Sequence, residues 1–86
     1  MDKGLIGMAN SANISLSALR DGQQARVAAL HLSGGMRRRV QALGLVPGPR
    51  VTCVRRALSG DPIAYRIRGA VVALRKCDAA QIEVQP

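Results

Sequence analysis

The segment from residue 40 to residue 49, Val-Gln-Ala-Leu-Gly-Leu-Val-Pro-Gly-Pro, constrains the fold of this chain most. Gly44 lies where a chain leaves a helix through a left-handed backbone conformation, which favours glycine. Leu45 follows, and its contact with Val40 would complete a Schellman motif. The Pro-Gly-Pro sequence at 47–49 fits a type II turn and prevents the helix from continuing. The segment therefore predicts a helix, a tight turn and a strand in succession.

The composition leaves few aromatic residues to build a core. The 86 residues include no Phe or Trp, and Tyr65 is the single tyrosine. The core must come from Val, Leu, Ile and Ala, and short β-branched segments suit a small barrel better than a helical bundle. A chain of this length forms one domain and buries about 60% of its unfolded surface. We expect residues 1–13, rich in Gly, Asn and Ser, to be a flexible tail and residues 14–86 to be the domain.

Alternation of apolar and polar positions predicts five short strands separated by turns. The strands are predicted at residues 25–32, 50–56, 63–68, 71–74 and 81–84. The helical segments are predicted as one short helix over 36–43 and single turns near 15–19 and 75–80. Five short strands around one small core indicate a mainly β fold, a five-stranded SH3-like barrel that is closed or partly open.

The predicted helix has one apolar stripe, formed at spacing i, i+4 and i+7 by Met36, Val40 and Leu43. Arg37 and Arg38 are then expected to face outward, while the stem of Arg39 covers the edge of the stripe. A helix of two turns is unstable alone, so we expect its stripe to cover an opening of the barrel.

Basic residues are concentrated in one part of the chain. The net charge is +8, and ten basic residues but one acid, Asp61, fall between Arg37 and Lys76. Such a field favours an acidic partner, which can be nucleic acid, anionic lipid or an acidic protein surface. A solvated cationic surface without a partner is the alternative interpretation.

Groups for catalysis or metal binding are sparse. His31 is the single histidine, and the sequence fixes no acid near it. No glycine-rich phosphate loop is present, so we expect no enzyme activity. A structural zinc site needs about four ligands, whereas His31, Cys53 and Cys77 are scattered among strands. We expect no required cofactor, and divalent metal at most at a low-affinity surface site where a second copy shares His31.

The remaining sequence features, the two cysteines and the apolar segments, indicate the cellular compartment of the protein. Cys53 and Cys77 are expected to be reduced thiols within the packing. The N-terminal residues do not form a secretion signal, and the apolar run at 69–74 is too short to span a bilayer. We therefore expect a soluble, cytoplasmic protein.

Four blocks of sequence carry a resemblance to a known family. They are Leu16-Ser17-Ala18-Leu19 with Gly22, Leu43-Gly44-Leu45-Val46-Pro47-Gly48, Gly60-Asp61-Pro62-Ile63, and Leu74-Arg75-Lys76-Cys77-Asp78-Ala79 leading to Ile82-Glu83-Val84. In their order and spacing the chain resembles the ferrous iron transport protein A (FeoA) family over residues 14–84. The chain departs from the common pattern at Ala70, where a larger residue is expected, and at Cys77, usually a polar position.

The resemblance implies a small cytoplasmic SH3-like barrel without catalytic chemistry. It also implies a partner, the membrane ferrous-iron transporter that carries a G-protein-like GTPase domain, on which the chain docks as a modulator. We expect the docking surface to combine arginines with apolar residues of the helix exit: Arg37, Arg38, Arg39, Leu45, Val46, Pro47, Arg66 and Arg68. An aromatic groove that reads polyproline is not expected, because Tyr65 is the single aromatic residue.

Two alternative functions stay open. A small basic barrel can bind nucleic acid, although single-strand binders usually present stacking aromatic residues. The barrel can also be a module of a metal-dependent regulator. The sequence leaves open whether the transporter is activated or restrained, and whether the chain is a monomer or a weak homodimer.

Overall fold

The computed structural model describes residues 13–86, which form one curled antiparallel sheet with short helical segments. The strands are β1 (Ile14–Ser15), β2 (Gln24–Leu30), β3 (Arg50–Arg56), β4 (Ile63–Ile67), β5 (Ala70–Leu74) and β6 (Ile82–Gln85). The helical segments are a 3₁₀ turn (Leu16–Ala18), helix α1 (Gly34–Ala42) and helix α2 (Lys76–Ala79). Within these residues no helix has the length and apolar character to cross a bilayer.

The predicted mainly β class is confirmed, but the sheet has six strands rather than five. The additional strand, β1, has two residues, with Ile14 opposite Val84 of β6. A two-residue strand is too short to show alternation, so the pattern could not reveal it. Of the predicted tail, Asn13 lies within the structure, where its side chain bonds to Glu83, and residues 1–12 lie outside the described residues.

The strand order is β1-β6-β2-β3-β4-β5. Register shifts interrupt β2 against β6 between Val27 and Ala29, and β3 against β4 between Cys53 and Arg55. Such bulges increase the local twist and bend a sheet around a core. The predicted first strand, 25–32, ran two residues too far, because Leu32 is buried but lies outside the ladder that ends at Leu30.

The core is built from aliphatic side chains around one aromatic ring. Along β4, Ile63, Tyr65 and Ile67 are buried, as their alternation predicts. The Tyr65 hydroxyl donates a hydrogen bond to the Leu16 carbonyl at 3.2 Å, which satisfies the polar end of the ring. Leu16, the first residue of the 3₁₀ turn, is itself fully buried. The inward positions of the sheet and the 3₁₀ turn therefore share one core.

The C-terminal end of α1 is the Schellman motif predicted from the sequence. The Leu45 N–H donates to the Val40 carbonyl at 2.9 Å, and the Gly44 N–H donates to the Gln41 carbonyl at 3.0 Å. Gly44 has φ 103°, in the left-handed region. Val40 and Leu45 are both fully buried, so the chain turns out of the helix over an apolar contact.

Helix α1 begins two residues earlier than predicted, at Gly34. Ser33 precedes it in an extended conformation, but its side chain makes no capping hydrogen bond. The start is held instead by Arg37, whose Nη1 donates to the carbonyls of Leu30 at 2.8 Å and Leu32 at 3.3 Å. This anchor connects the helix to the end of β2.

Candidate partner-binding surface

The three helix arginines do not share one environment. Arg37 was predicted to face outward, but it is half-buried because its guanidinium bonds to the end of β2. Arg38 and Arg39 are exposed. Arg39 lines a groove with Met36 and Ala73, between α1 and β5. Of the helix arginines, Arg38 and Arg39 are therefore the ones that remain open to a partner.

The helix exit presents less apolar surface than the sequence predicted. Leu45 was predicted as a partner contact, and the structure places it at 0% exposure, inside the Schellman contact. Val46 is half-buried and Pro47 is exposed. The exit loop, residues 43–49, therefore offers Val46 and Pro47 at the surface, while Leu45 holds the loop to the core.

The alternation over 63–68 predicts Arg68 on the same strand as Arg66, but the structure ends β4 at Ile67 and places Arg68 in the turn between β4 and β5. It has φ 51° and is followed by Gly69 with φ 82°, a pair of left-handed residues that closes a two-residue hairpin. Its side chain packs over the exit loop, since a Cβ built on Gly44 would lie 3.3 Å from Arg68 Cδ. Arg66 stays on the outer face of β4 and is exposed.

Two further arginines, Arg26 and Arg50, lie near Arg66 and the exit loop. Arg26 on β2 lies directly opposite Arg50 on β3, and Arg26 Nη1 donates to the Gly48 carbonyl of the exit loop at 3.0 Å. Thr52, two residues along β3, lies opposite Arg66. We call Arg26, Arg50, Arg66 and Arg68 the arginine face.

The arginine face has an electrostatic cost that no acid of residues 13–86 offsets by an ion pair. Like charges directly opposite on a sheet, such as Arg26 and Arg50, destabilise it. No acid of residues 13–86 lies within 4.0 Å of these guanidinium groups, since the ion pair in that part joins His31 to Glu83. An acidic partner would offset this repulsion.

Sequence reasoning missed Arg26 and Arg50 because it followed the density of charge along the chain. Arg26 precedes the basic segment, and the sequence assigns Arg50 to a strand without indicating what lies opposite it. The alternation of β2 places Gln24 and Arg26 outward, and that pattern was the available signal. The pairing of β2 with β3 was not available, because it depends on register rather than on either strand alone.

A second polar cluster surrounds His31. The His31 Nε2 lies 3.0 Å from Glu83 Oε1, and the Asn13 amide donates to Glu83 Oε2 at 2.5 Å. The hydrogen bonds from His31 and then Asn13 lower the pKa of the Glu83 carboxyl below its ordinary value. Local sequence could not place an acid beside His31, because Glu83 follows 52 residues later and reaches it through the β2–β6 pairing.

This cluster supplies two of the ligands that a divalent metal would need. Within residues 13–86 no three or more His, Cys, Asp or Glu side chains come together to hold a metal ion. Cys53 is buried, which raises the pKa of its thiol, and Cys77 is exposed. The expectation that both cysteines are packed is therefore correct for Cys53 and wrong for Cys77, which lies on the surface of α2.

Comparison with known proteins identifies the family. The family model described as the FeoA domain matches residues 14–86. The chain belongs to the FeoA domain family. A related protein of Porphyromonas gingivalis, the Fe(2+) transport protein A/Fe(2+) transporter FeoB fusion protein, is 41% identical over 70 residues, which are 81% of this chain and 8% of that protein. This FeoA chain thus spans a small part of the length of that relative.

Solved FeoA structures have the same fold. Iron(II) transport protein A from Clostridium thermocellum superposes with a TM-score of 0.80 at 38% identity, covering 84% of this chain and 44% of that one. FeoA of Stenotrophomonas maltophilia, solved in complex with zinc and described as an SH3 domain protein, gives a TM-score of 0.74 at 28% identity and covers 84% and 89%. The predicted SH3-like fold is confirmed.

Proposed function

We propose that this FeoA chain is a non-catalytic accessory protein of ferrous-iron transport. It docks on the cytoplasmic part of a FeoB-type membrane transporter, on the G-protein-like domain or the pore region, and modulates it. The observation that carries the proposal is the relative in which the matching segment and the FeoB transporter form one polypeptide. A fusion holds two proteins at high effective concentration, which favours a contact between them.

The arginine face and the exit loop support this role. Arg50, Arg66 and Arg68 are exposed, and so is Pro47 of the exit loop, against which the Arg68 side chain packs at Gly44. Electrostatic complementarity of this kind speeds encounter and fixes orientation. The role requires no cofactor of the chain itself, and any nucleotide chemistry belongs to the transporter.

Nucleic-acid binding has less support than docking on a protein. Sequence-tolerant binding of single strands relies on aromatic side chains that stack on bases. Tyr65 is the single aromatic residue of the chain, and it is fully buried. A cationic surface without a stacking platform fits an acidic protein surface better.

The test measures binding of the chain to full-length transporter in lipid nanodiscs, together with GTP hydrolysis and iron uptake. We expect Arg50→Gln with Arg66→Gln to weaken binding by about tenfold, as loss of about 1.4 kcal/mol would. Arg20→Gln with Arg55→Gln removes the same charge away from the exit loop and should change affinity by no more than about twofold. Wild-type chain that does not bind, together with unchanged iron uptake after its deletion, would refute the proposed function.

A further inference from the structure

Strand β5 ends the sheet with one side unpaired. It pairs with β4 through five consecutive residue pairs without a register shift, from Ile67 opposite Ala70 to Ile63 opposite Leu74. No strand of residues 13–86 pairs with its other side, because β5 is the last strand in the order. The other end of the sheet is β1, which offers two residues. The long edge of this sheet is therefore β5.

The register identifies which main-chain groups point away from the sheet. The hairpin turn at Arg68 and Gly69 makes Ile67 and Ala70 a hydrogen-bonded pair. Antiparallel pairs alternate, so the N–H and C=O groups of Val71 and Ala73 point away from β4. No other backbone group of residues 13–86 bonds to them. They are the donors and acceptors that an added strand would use.

The β5 edge lacks the features that usually protect exposed edges. Proteins prevent unwanted pairing with charged residues, prolines, bulges or very short strands. The sequence of β5 is Ala-Val-Val-Ala-Leu, which contains no charge and no proline. Val71 is 56% exposed and is one of the large apolar side chains that remain on the surface. An unprotected edge of this kind is a template for strand addition.

The charges beside the edge indicate what kind of segment pairs with it. Arg66 lies directly opposite Val71 on the outer face of the sheet. On the other side, the groove between α1 and β5 is lined by Met36 and Leu74 together with Arg39 and Arg75, with Asp78 the one acid among the lining residues. Arginine side chains therefore lie near β5 on both faces of the sheet, beside the apolar side chains of Val71 and Leu74.

We propose that β5 binds an extended, acidic segment of the transporter's cytoplasmic part as an added strand, an inference that rests on the proposed function. Main-chain hydrogen bonds to Val71 and Ala73 give the contact its affinity, and alternate side chains of the segment give it specificity. Carboxylates of the segment meet Arg39, Arg66 and Arg75, while an aliphatic side chain packs beside Val71. A second copy of this chain is disfavoured, because it would bring the same arginines together.

Amide hydrogen exchange of the full chain tests the edge directly. We expect exchange at Val71 and Ala73 to slow by at least about tenfold when the nanodisc-bound transporter is added, because both N–H groups gain acceptors. Val72, already paired with Tyr65, should change little. The synthetic peptide acetyl-(Val-Glu)₄-amide, an alternating acidic probe, should produce the same alternating protection without the transporter.

Variants separate the edge from the surrounding surface. Val71→Pro removes an outward N–H and leaves the β4 ladder intact, so transporter binding should weaken by at least about tenfold. Val71→Thr retains the N–H and the branched shape, and it should bind within about twofold of wild type. Thermal unfolding confirms the fold of each variant. If Val71→Pro does not fold, Val71→Glu keeps the backbone and places a repelling charge beside the acidic segment.

Each outcome either supports or overturns the inference. Wild-type chain that binds the transporter with Val71 and Ala73 unprotected would overturn the β5 site and leave the proposed function standing. Slow exchange of the Val71 and Ala73 amides in the free chain would also overturn the inference, because the edge would already be covered. If dilution speeds the exchange, a second copy covers the edge. If dilution has no effect, another part of the same chain covers it. Protection by the peptide without any binding of the transporter would overturn the inference, because the edge would then pair with strands but not with the transporter. Unchanged iron uptake after deletion of the chain, added to that result, would also refute the proposed function.

Discussion

Gly44 is the residue on which the turn out of α1 depends. Its φ of 103° lies in the left-handed region, and it occupies the C′ position directly after the C-cap residue Leu43. The missing side chain also makes room for Arg68, whose Cδ would lie 3.3 Å from an added Cβ. One residue therefore connects the helix exit to the β4–β5 hairpin.

We expect Gly44→Ala to lower the free energy of unfolding by about 1–2 kcal/mol, because a non-glycine residue is strained in this conformation. Gly35→Ala is the matched control: Gly35 lies within α1, and an added Cβ there meets nothing within 4 Å. Alanine at that position should raise the free energy of unfolding by about 0.5–1 kcal/mol. Urea denaturation measures both, and equal effects of the two variants would contradict this account.

Arg56 has a structural role that its place in a basic run did not indicate. Its Nη2 donates to the carbonyls of Ser17 at 2.7 Å and Leu19 at 2.6 Å, which anchors the 3₁₀ turn to β3. Arg55, the residue before it, is exposed. Two neighbouring arginines thus have different functions.

We expect Arg56→Met to lower the free energy of unfolding by about 2 kcal/mol, because two carbonyls lose a charged donor. Arg55→Met should change it by no more than about 0.5 kcal/mol, as usual for an exposed position. Thermal or urea unfolding compares the two. Similar losses for both variants would show that net charge, rather than these hydrogen bonds, determines the effect.

At the scale of elements, the sequence predicted what local patterns determine. The alternation of Ile63, Tyr65 and Ile67 and the Gly44 exit of α1 are both local, and both were correct. What depends on register was not predictable. Arg26 lies opposite Arg50 only because β2 pairs with β3 in this register. Glu83 reaches His31 only because β2 pairs with β6 across a bulge.

The cluster of Asn13, His31 and Glu83 joins three segments of the chain, and Glu83 makes its stability depend on pH. Its carboxyl has a pKa lowered below the ordinary 4.5 by hydrogen bonds from His31 and Asn13. Folding that lowers a pKa adds stability that is present above about pH 4.5 and is lost as pH falls toward the folded value. We expect the melting temperature of wild type to fall more steeply with acid than that of Glu83→Gln. Parallel curves between about pH 6 and pH 3 would contradict this coupling.

At the scale of the whole molecule, the net charge of +8 is distributed unevenly. The arginine face carries four cations, Arg26, Arg50, Arg66 and Arg68, with no acid of residues 13–86 paired to them. A concentrated field of this kind acts over about 10 Å at moderate ionic strength. It affects how quickly a partner is found more than how long it stays.

We expect the association rate with the transporter to fall by about tenfold or more between low and high salt, from about 0.05 M to about 0.5 M, while the dissociation rate changes by less. Stopped-flow mixing or surface-based kinetics gives both rates. The arginine-face variant with Arg50→Gln and Arg66→Gln should have a shallower dependence than Arg20→Gln with Arg55→Gln. A salt-independent rate would indicate that the encounter is not steered by charge.

The buried ring of Tyr65 is an intrinsic fluorescence probe of the protein interior. With no tryptophan in the sequence, ultraviolet fluorescence comes from this one phenol, whose hydroxyl bonds to Leu16 beneath the 3₁₀ turn. Its emission reports on the interior and is insensitive to events at the outer surface. A spectral change on adding acetyl-(Val-Glu)₄-amide, which has no fluorescent side chain, would therefore reveal rearrangement of the interior, and an unchanged spectrum would indicate rigid docking.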